Sequence, residues 1–239
     1  MNPYIAAAVQ AMDKVPLSNL EHPGEELAMH PAACKFMAAF TRAMEAKKVL
    51  EFGSGFSTLM MARELPVGDE SYLLSIDDSA RYSAAAKEAY ESSGCQAKVE
   101  FRVAPLRPRF YGPRLLLSYS LPKGLLEAMG PFDLVLIDTP HHDFGREAIF
   151  YDAFNAVMPG GYIVMDDANK EAAEKVCLPN WDAVFGDAIE PVRLDGIGEG
   201  LTVIEKIEDV RPRYTASGAL GASFKTVAGL AKLLLHPEK

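Results

Sequence analysis

The stretch Val49-Leu50-Glu51-Phe52-Gly53-Ser54-Gly55-Phe56-Ser57-Thr58 constrains this chain more than any other. A short apolar strand runs straight into a Gly-x-Gly turn and from there into the start of a helix. A second apolar run, Tyr72-Leu73-Leu74-Ser75-Ile76, ends on Asp77-Asp78. Glycines at such a turn let the backbone approach a ligand, and an acid closing the second strand can hold ribose hydroxyls. The spacing is that of a nucleotide-type ligand site.

The rest of the chain supplies the frame. Apolar residues at helical spacing (Ala33, Phe36, Met37, Phe40, Met44) predict a helix over 32–46, while 1–31 read as irregular, punctuated by Pro16, Pro23 and Pro31. Strands are expected at 49–52, 73–76, 98–104, 132–137 and 162–165, with helices near 57–65, 79–92, 145–157 and 170–176. The Pro- and Arg-rich segment 105–130 reads as one short helix near 121–129. Two last strands, 189–194 and 201–206, are joined by so short a connection that they must be antiparallel neighbours. Four of the strands are unbroken apolar runs, as burial on both faces requires. The fold class is therefore α/β, a doubly wound, Rossmann-like seven-stranded sheet with helices on both faces and a terminal antiparallel hairpin.

With 239 residues, 49% of them hydrophobic, the chain can bury one full α/β core, and a second complete domain would be cramped. A single domain over 1–239 is expected: core about 45–207, N-terminal extension 1–44, helical tail 208–239. Cys34, Cys95 and Cys177 lie far apart and read as reduced cytoplasmic thiols rather than a disulfide frame or zinc site. Residues 1–4 carry no basic region leading into an apolar core, and no apolar stretch approaches a bilayer span, so neither a signal peptide nor a stable membrane anchor is expected. A net charge of -9 argues against nucleic acid as partner, because neutralising phosphates needs a basic face. A small molecule is the expected partner.

At Glu51–Thr58 the chain resembles class I S-adenosylmethionine-dependent methyltransferases. The likeness continues in matching order through Asp77 after strand two, Asp138 after strand four, Pro159-Gly160-Gly161 before strand five and the terminal hairpin. It covers roughly residues 45–207. It implies that Gly53, Ser54 and Gly55, with Ser57 and Thr58, line the methionine part of S-adenosylmethionine, and that Glu51 lies near its ammonium. Asp77 would accept from both ribose hydroxyls with Asp78 beside it, Ala104 would border the adenine, and Asp138 would complete the cofactor set.

Asp138 closes one strand and Asp166-Asp167 the next, and adjacent strand ends meet at the ligand crevice. Three converging carboxylates repel one another, and a divalent cation is the usual remedy; oxygen ligands favour Mg²⁺, Ca²⁺ or Mn²⁺. The competing expectation for Asp166-Asp167 is capping of the helix that follows. The trio looks like that of metal-dependent small-molecule O-methyltransferases, with Asp-Asp similar to the sugar and natural-product enzymes. Asp138, His141 and His142 are the candidates to take a hydroxyl proton.

Arg107, Arg109 and Arg114 read either as a grip for an anionic acceptor or as a solvated basic loop. Residues 21–25 are expected, by family analogy, to cover the site. Phe224, Val227, Leu230, Ala231 and Leu234 share one helical face, expected to pack on the body or across a homodimer interface. Rival expectations are a nicotinamide-dependent oxidoreductase, disfavoured by Thr58 where a third glycine is needed, and a non-catalytic binding module that keeps the pocket.

Overall fold

The unbroken apolar runs become the buried strands. The computed structural model describes residues 2–17, 28–140, 146–171, 173–214, 216 and 219–235. In chain order the elements are α1 (Pro3–Ala11), α2 (Pro31–Ala43), β1 (Lys48–Phe52), α3 (Phe56–Ala62), β2 (Tyr72–Asp77), α4 (Ala80–Ser92) and β3 (Lys98–Val103). They continue with β4 (Leu106–Tyr111), β5 (Arg114–Tyr119), α5 (Leu125–Met129), β6 (Phe132–Ile137), α6 (Arg146–Ala156) and β7 (Val157–Asp166). A π turn at Ala173–Cys177 leads into α7 (Leu178–Phe185), β8 (Ile189–Leu194), β9 (Leu201–Lys206) and α8 (Ala219–Leu235). The main sheet has seven strands in the order β3-β2-β1-β6-β7-β9-β8. The pairs from β3 to β7 are parallel, and β9 is antiparallel to both β7 and β8.

Residues alternate between the two faces of each strand. Val49, Leu73, Leu134 and Val164 pack with α1, α2 and α3, while Leu50, Leu74, Val135 and Ile163 pack with α6 and α7. Phe150 stacks on Trp181 with ring centroids 4.1 Å apart, and Phe154 stacks on Phe185 at 4.1 Å, which fixes α7 on α6. Lys206 is buried beside them; its Nζ donates to Phe154 O and Val157 O, each at 2.7 Å, satisfying carbonyls at the end of α6.

Five points differ from expectation. The 1–31 region holds α1, with Asn2 capping its start by accepting from Tyr4 N and Pro3 in the first turn. The 105–130 segment is mainly the hairpin β4–β5, which stands on the α6 face between β3 and β6, and the helix within it shortens to α5. A helix, α7, starts on Leu178-Pro179, where proline is tolerated in the first turn. On α8 the inward side carries Thr226, whose Oγ1 donates to Leu115 O at 2.7 Å, whereas Phe224 and Val227 are exposed. Within β7, Pro159–Gly161 form part of the strand, at a register shift against β6, rather than a stop before it.

Candidate functional site

The Gly-x-Gly turn sits where strand order reverses, between β1 with its neighbour β2 on one side and β6 on the other, the usual crevice of a doubly wound sheet. Gly53 has φ +116°, and a Cβ there would stand 3.0 Å from Thr139 Cγ2 and 3.2 Å from Asp138 Cβ. The first glycine is thus required by the close approach of the loop after β6. At Gly55 the backbone is extended, and the nearest atom to an added Cβ is Ser57 Oγ at 3.9 Å. The turn offers an open cradle at Gly55 and a crowded floor at Gly53.

Asp77 is buried beneath this turn. Its Oδ2 accepts from Ser54 N and its Oδ1 from Ser79 N, both at 2.7 Å, so it ties the glycine turn to the start of α4. Burial pushes its carboxyl up to about 6 against the pull of those two amides. Asp78 is half-buried, and Tyr119 Oη donates to its Oδ1 at 3.4 Å. Ala104 N donates to Asp77 O at 2.8 Å, which brings the exit of β3 to the same edge.

Glu51 lies wholly inside. Ser57 Oγ (2.6 Å), Thr58 Oγ1 and Ser75 Oγ (2.8 Å) donate to its oxygens, and Thr58 Oγ1 accepts from Gly55 N at 3.0 Å. Ser75 Oγ lies 2.8 Å from Ser54 Oγ. Glu51 and the Ser57 and Thr58 hydroxyls hold the turn from below. Burial drives its carboxyl up to about 8, opposed by the three hydroxyls.

Asp138, Asp166 and Asp167 do converge, each offering one carboxylate oxygen within 4.8 Å of the others. Asp166 is buried, and its Oδ1 has no hydrogen-bond partner among the described residues. Burial first, and then the charge of Asp138, hold its carboxyl well above the usual carboxylate range. Asp167 occupies the left-handed region at φ +59°, which Asp tolerates better than most residues. Hard oxygen donors at this spacing, with one buried oxygen unsatisfied, fit a divalent cation. His141 and His142 lie outside the described residues, as do residues 21–25.

Sequence reasoning missed three contributors. Arg146 is buried under the trio; its Nη2 reaches Asp138 Oδ1 at 3.2 Å and Asp167 Oδ2 at 3.1 Å. A cation in the first turn of a helix runs against the helix dipole, and that was the available signal. Lys170 Nζ lies 2.7 Å from Asp167 Oδ2. Tyr119 stacks on Phe52 with centroids 5.5 Å apart and hydrogen-bonds Thr139 Oγ1. The three arginines read as either an anion grip or a solvated basic loop do not converge: Arg109 pairs with Asp152 at 3.0 Å, Arg114 with Glu147 at 2.7 Å, and Arg107 is exposed.

Comparison with known proteins bears on this geometry. A family model described as a methyltransferase domain matches residues 50–168. The catechol O-methyltransferase of Niastella koreensis is 27% identical over 147 residues, which are 61% of this chain and 60% of that protein. The chain thus aligns with less than two thirds of that curated relative. The O-methyltransferase TomG from Streptomyces achromogenes, involved in tomaymycin synthesis and solved with S-adenosylmethionine, superposes with a TM-score of 0.58 at 19% identity, over 87% of this chain and 91% of that one. The Bacillus cereus O-methyltransferase, solved with S-adenosylhomocysteine, gives 0.57 at 16% identity over 86% and 91%. These two likenesses speak for the fold. The family match and the curated relative, on a fold that carries the glycine turn, the acids at the ends of β2 and β6 and the closing antiparallel pair, mark the chain as a methyltransferase of the class I S-adenosylmethionine-dependent family.

Proposed function

We propose that the chain methylates a hydroxyl of a small-molecule acceptor, with S-adenosylmethionine as donor and a divalent cation held by Asp138, Asp166 and Asp167. The observation that carries this reading is the sharing of one crevice: Asp138 backs the floor of the glycine turn and also belongs to the acid trio. S-adenosylmethionine supplies a sulfonium methyl, whose carbon passes to the acceptor oxygen while the C–S electron pair stays on sulfur. A divalent cation lowers the pKa of an acceptor hydroxyl and neutralises the acids.

The remaining work falls to the chain's own residues. The Gly53–Gly55 cradle and Asp77 hold the donor, and alignment of the oxygen with the methyl is the main catalytic contribution. Asp138, together with histidines 141 and 142, is assigned to take the hydroxyl proton. With all three carboxylates ionised, Arg146 and Lys170 leave the cluster with one negative charge in excess. A divalent cation reverses that sign, which suits an acceptor oxygen that must become anionic. The name of the Niastella koreensis relative supports an oxygen acceptor.

Calorimetry with S-adenosylhomocysteine, with and without Mg²⁺, tests the reading. Micromolar binding is expected, and Asp166→Ala should spare it while removing the Mg²⁺-dependent heat. Absence of S-adenosylhomocysteine binding in both buffers sinks the donor assignment. Methyl transfer to diol acceptors that survives both chelation and Asp166→Ala sinks the cation.

A further inference from the structure

Arg146 makes more polar contacts than a salt bridge needs. Its Nε donates to Pro140 O at 3.2 Å, its Nη1 to Asp166 O at 2.5 Å and its Nη2 to Asp138 O. The same Nη2 also reaches Asp138 Oδ1 and Asp167 Oδ2, at 3.2 and 3.1 Å. Five acceptors on the ends of β6 and β7 and the loop between β6 and α6 therefore converge on one guanidinium with 4% of its side chain exposed. Three of them are backbone carbonyls, which fix the course of the chain as well as side-chain positions.

Only a planar fork of this kind matches so many acceptors at once. The position otherwise disfavours it, since the start of α6 presents the positive end of the helix dipole. From these contacts we propose that Arg146 is a positioning residue that sets the spacing of Asp138, Asp166 and Asp167, so that the trio is arranged for a divalent cation before one arrives. This rests on the cation reading given above. Arg146 itself touches neither donor nor acceptor; it acts through the three acids.

Charge and geometry predict opposite signs on removal, which makes the role testable. A guanidinium that merely rivals the cation for carboxylate oxygens should, once removed, leave tighter cation binding. A guanidinium that sets the spacing should leave weaker binding. Arg146→Lys keeps the charge and loses the fork, so it reports geometry alone; Arg146→Met removes both.

The experiment titrates Mg²⁺ and Mn²⁺ by calorimetry into wild-type and variant protein saturated with S-adenosylhomocysteine, after measuring that ligand's own affinity and each melting temperature. The expected result is a loss of cation affinity on the order of 10- to 100-fold in Arg146→Lys, and no gain in Arg146→Met, with S-adenosylhomocysteine affinity within about twofold of wild type. Unchanged cation affinity in Arg146→Lys, or tighter binding in Arg146→Met, overturns the proposal. So does a parallel collapse of S-adenosylhomocysteine affinity and melting temperature in Arg146→Lys, which would mark a general strut of the fold. A wild-type protein that binds S-adenosylhomocysteine but no cation removes the cation reading itself, and the positioning role with it.

Discussion

At Gly53 the backbone sits at φ +116° with Thr139 and Asp138 against the place of a side chain, whereas Gly55 is extended and a side chain there would meet only Ser57 Oγ, at 3.9 Å. The two glycines therefore serve different ends, one conformational and one to admit a ligand. Gly53→Ala should cost on the order of 1–3 kcal/mol of folding stability, from strain and the crowded neighbour. Gly55→Ala should change stability by no more than about 0.5 kcal/mol, as for an uncrowded surface change. It should still weaken S-adenosylhomocysteine binding, because the methyl enters the cradle. Urea unfolding and calorimetry on both variants check this; a Gly55→Ala protein that binds normally removes the cradle from the donor site. The same contrast shows what sequence reading reaches at this scale. Both glycines, Asp77 and the acid trio were legible from type and spacing. Which way Glu51 faces was not, because an acid beside a glycine turn can turn toward ligand or core, and only the hydroxyls of Ser57, Thr58 and Ser75 decide it.

Among the elements, the hairpin β4–β5 is the departure that most changes how the site is walled. A helix is the usual crossover between two parallel strands such as β3 and β6. Here a two-stranded ribbon fills that layer, anchored to α6 by the buried Arg114–Glu147 pair and by Arg109, Tyr111 and Ser118 around Asp152. It delivers Tyr119 to the crevice against Phe52 and Asp78. Arg114→Ala should cost about 3–5 kcal/mol, since it leaves Glu147 charged and buried. The double variant Arg114→Met with Glu147→Leu should recover most of that loss in urea unfolding. If the double variant is no better than the single one, the pair is not what seats the hairpin. The hairpin escaped the sequence reading because Arg107, Pro108 and Arg109 on its outer strand resemble loop composition. The outer strand is solvated from Arg107 to Phe110, and most of the hairpin's buried side chains lie on β5. The inner strands and the β8–β9 pair were legible because burial on both faces, or a connection too short to cross over, leaves one solution. On α8, Phe224 and Val227 of the apolar face are exposed on this chain; hydrophobic periodicity names a face and does not say what covers it.

For the whole molecule, the crevice carries a pH signature in stability. Glu51 and Asp77 are buried, with carboxyls raised to about 8 and about 6, above the values of about 4.3 and 3.9 expected in an unfolded chain. Folded protein thus retains protons that the unfolded chain has already released. Their contribution is fully present below the unfolded values and is lost as pH rises through 6 for Asp77 and through 8 for Glu51. The melting temperature should fall between pH 5 and pH 9 on their account. Other titrating groups add their own slopes, so the informative quantity is the difference from a variant that cannot ionise at one position. Glu51→Gln keeps the size and the hydrogen-bonding capacity of the protonated acid. It should flatten the fall from about pH 5 to pH 8, where the unfolded acid is ionised and the folded one is not, and leave the curve above about pH 9 as in wild type. Asp77→Asn should flatten the fall only below about pH 7 and leave the slope between pH 7 and pH 8 as in wild type. Ribose hydroxyls donating to Asp77 would favour its ionised form, so S-adenosylhomocysteine should raise the melting temperature more at pH 8 than at pH 5. Scanning calorimetry across this range reads all three curves. Parallel slopes for wild type and Glu51→Gln would mean that Glu51 is ionised throughout, its three hydroxyl donors outweighing the cost of burial.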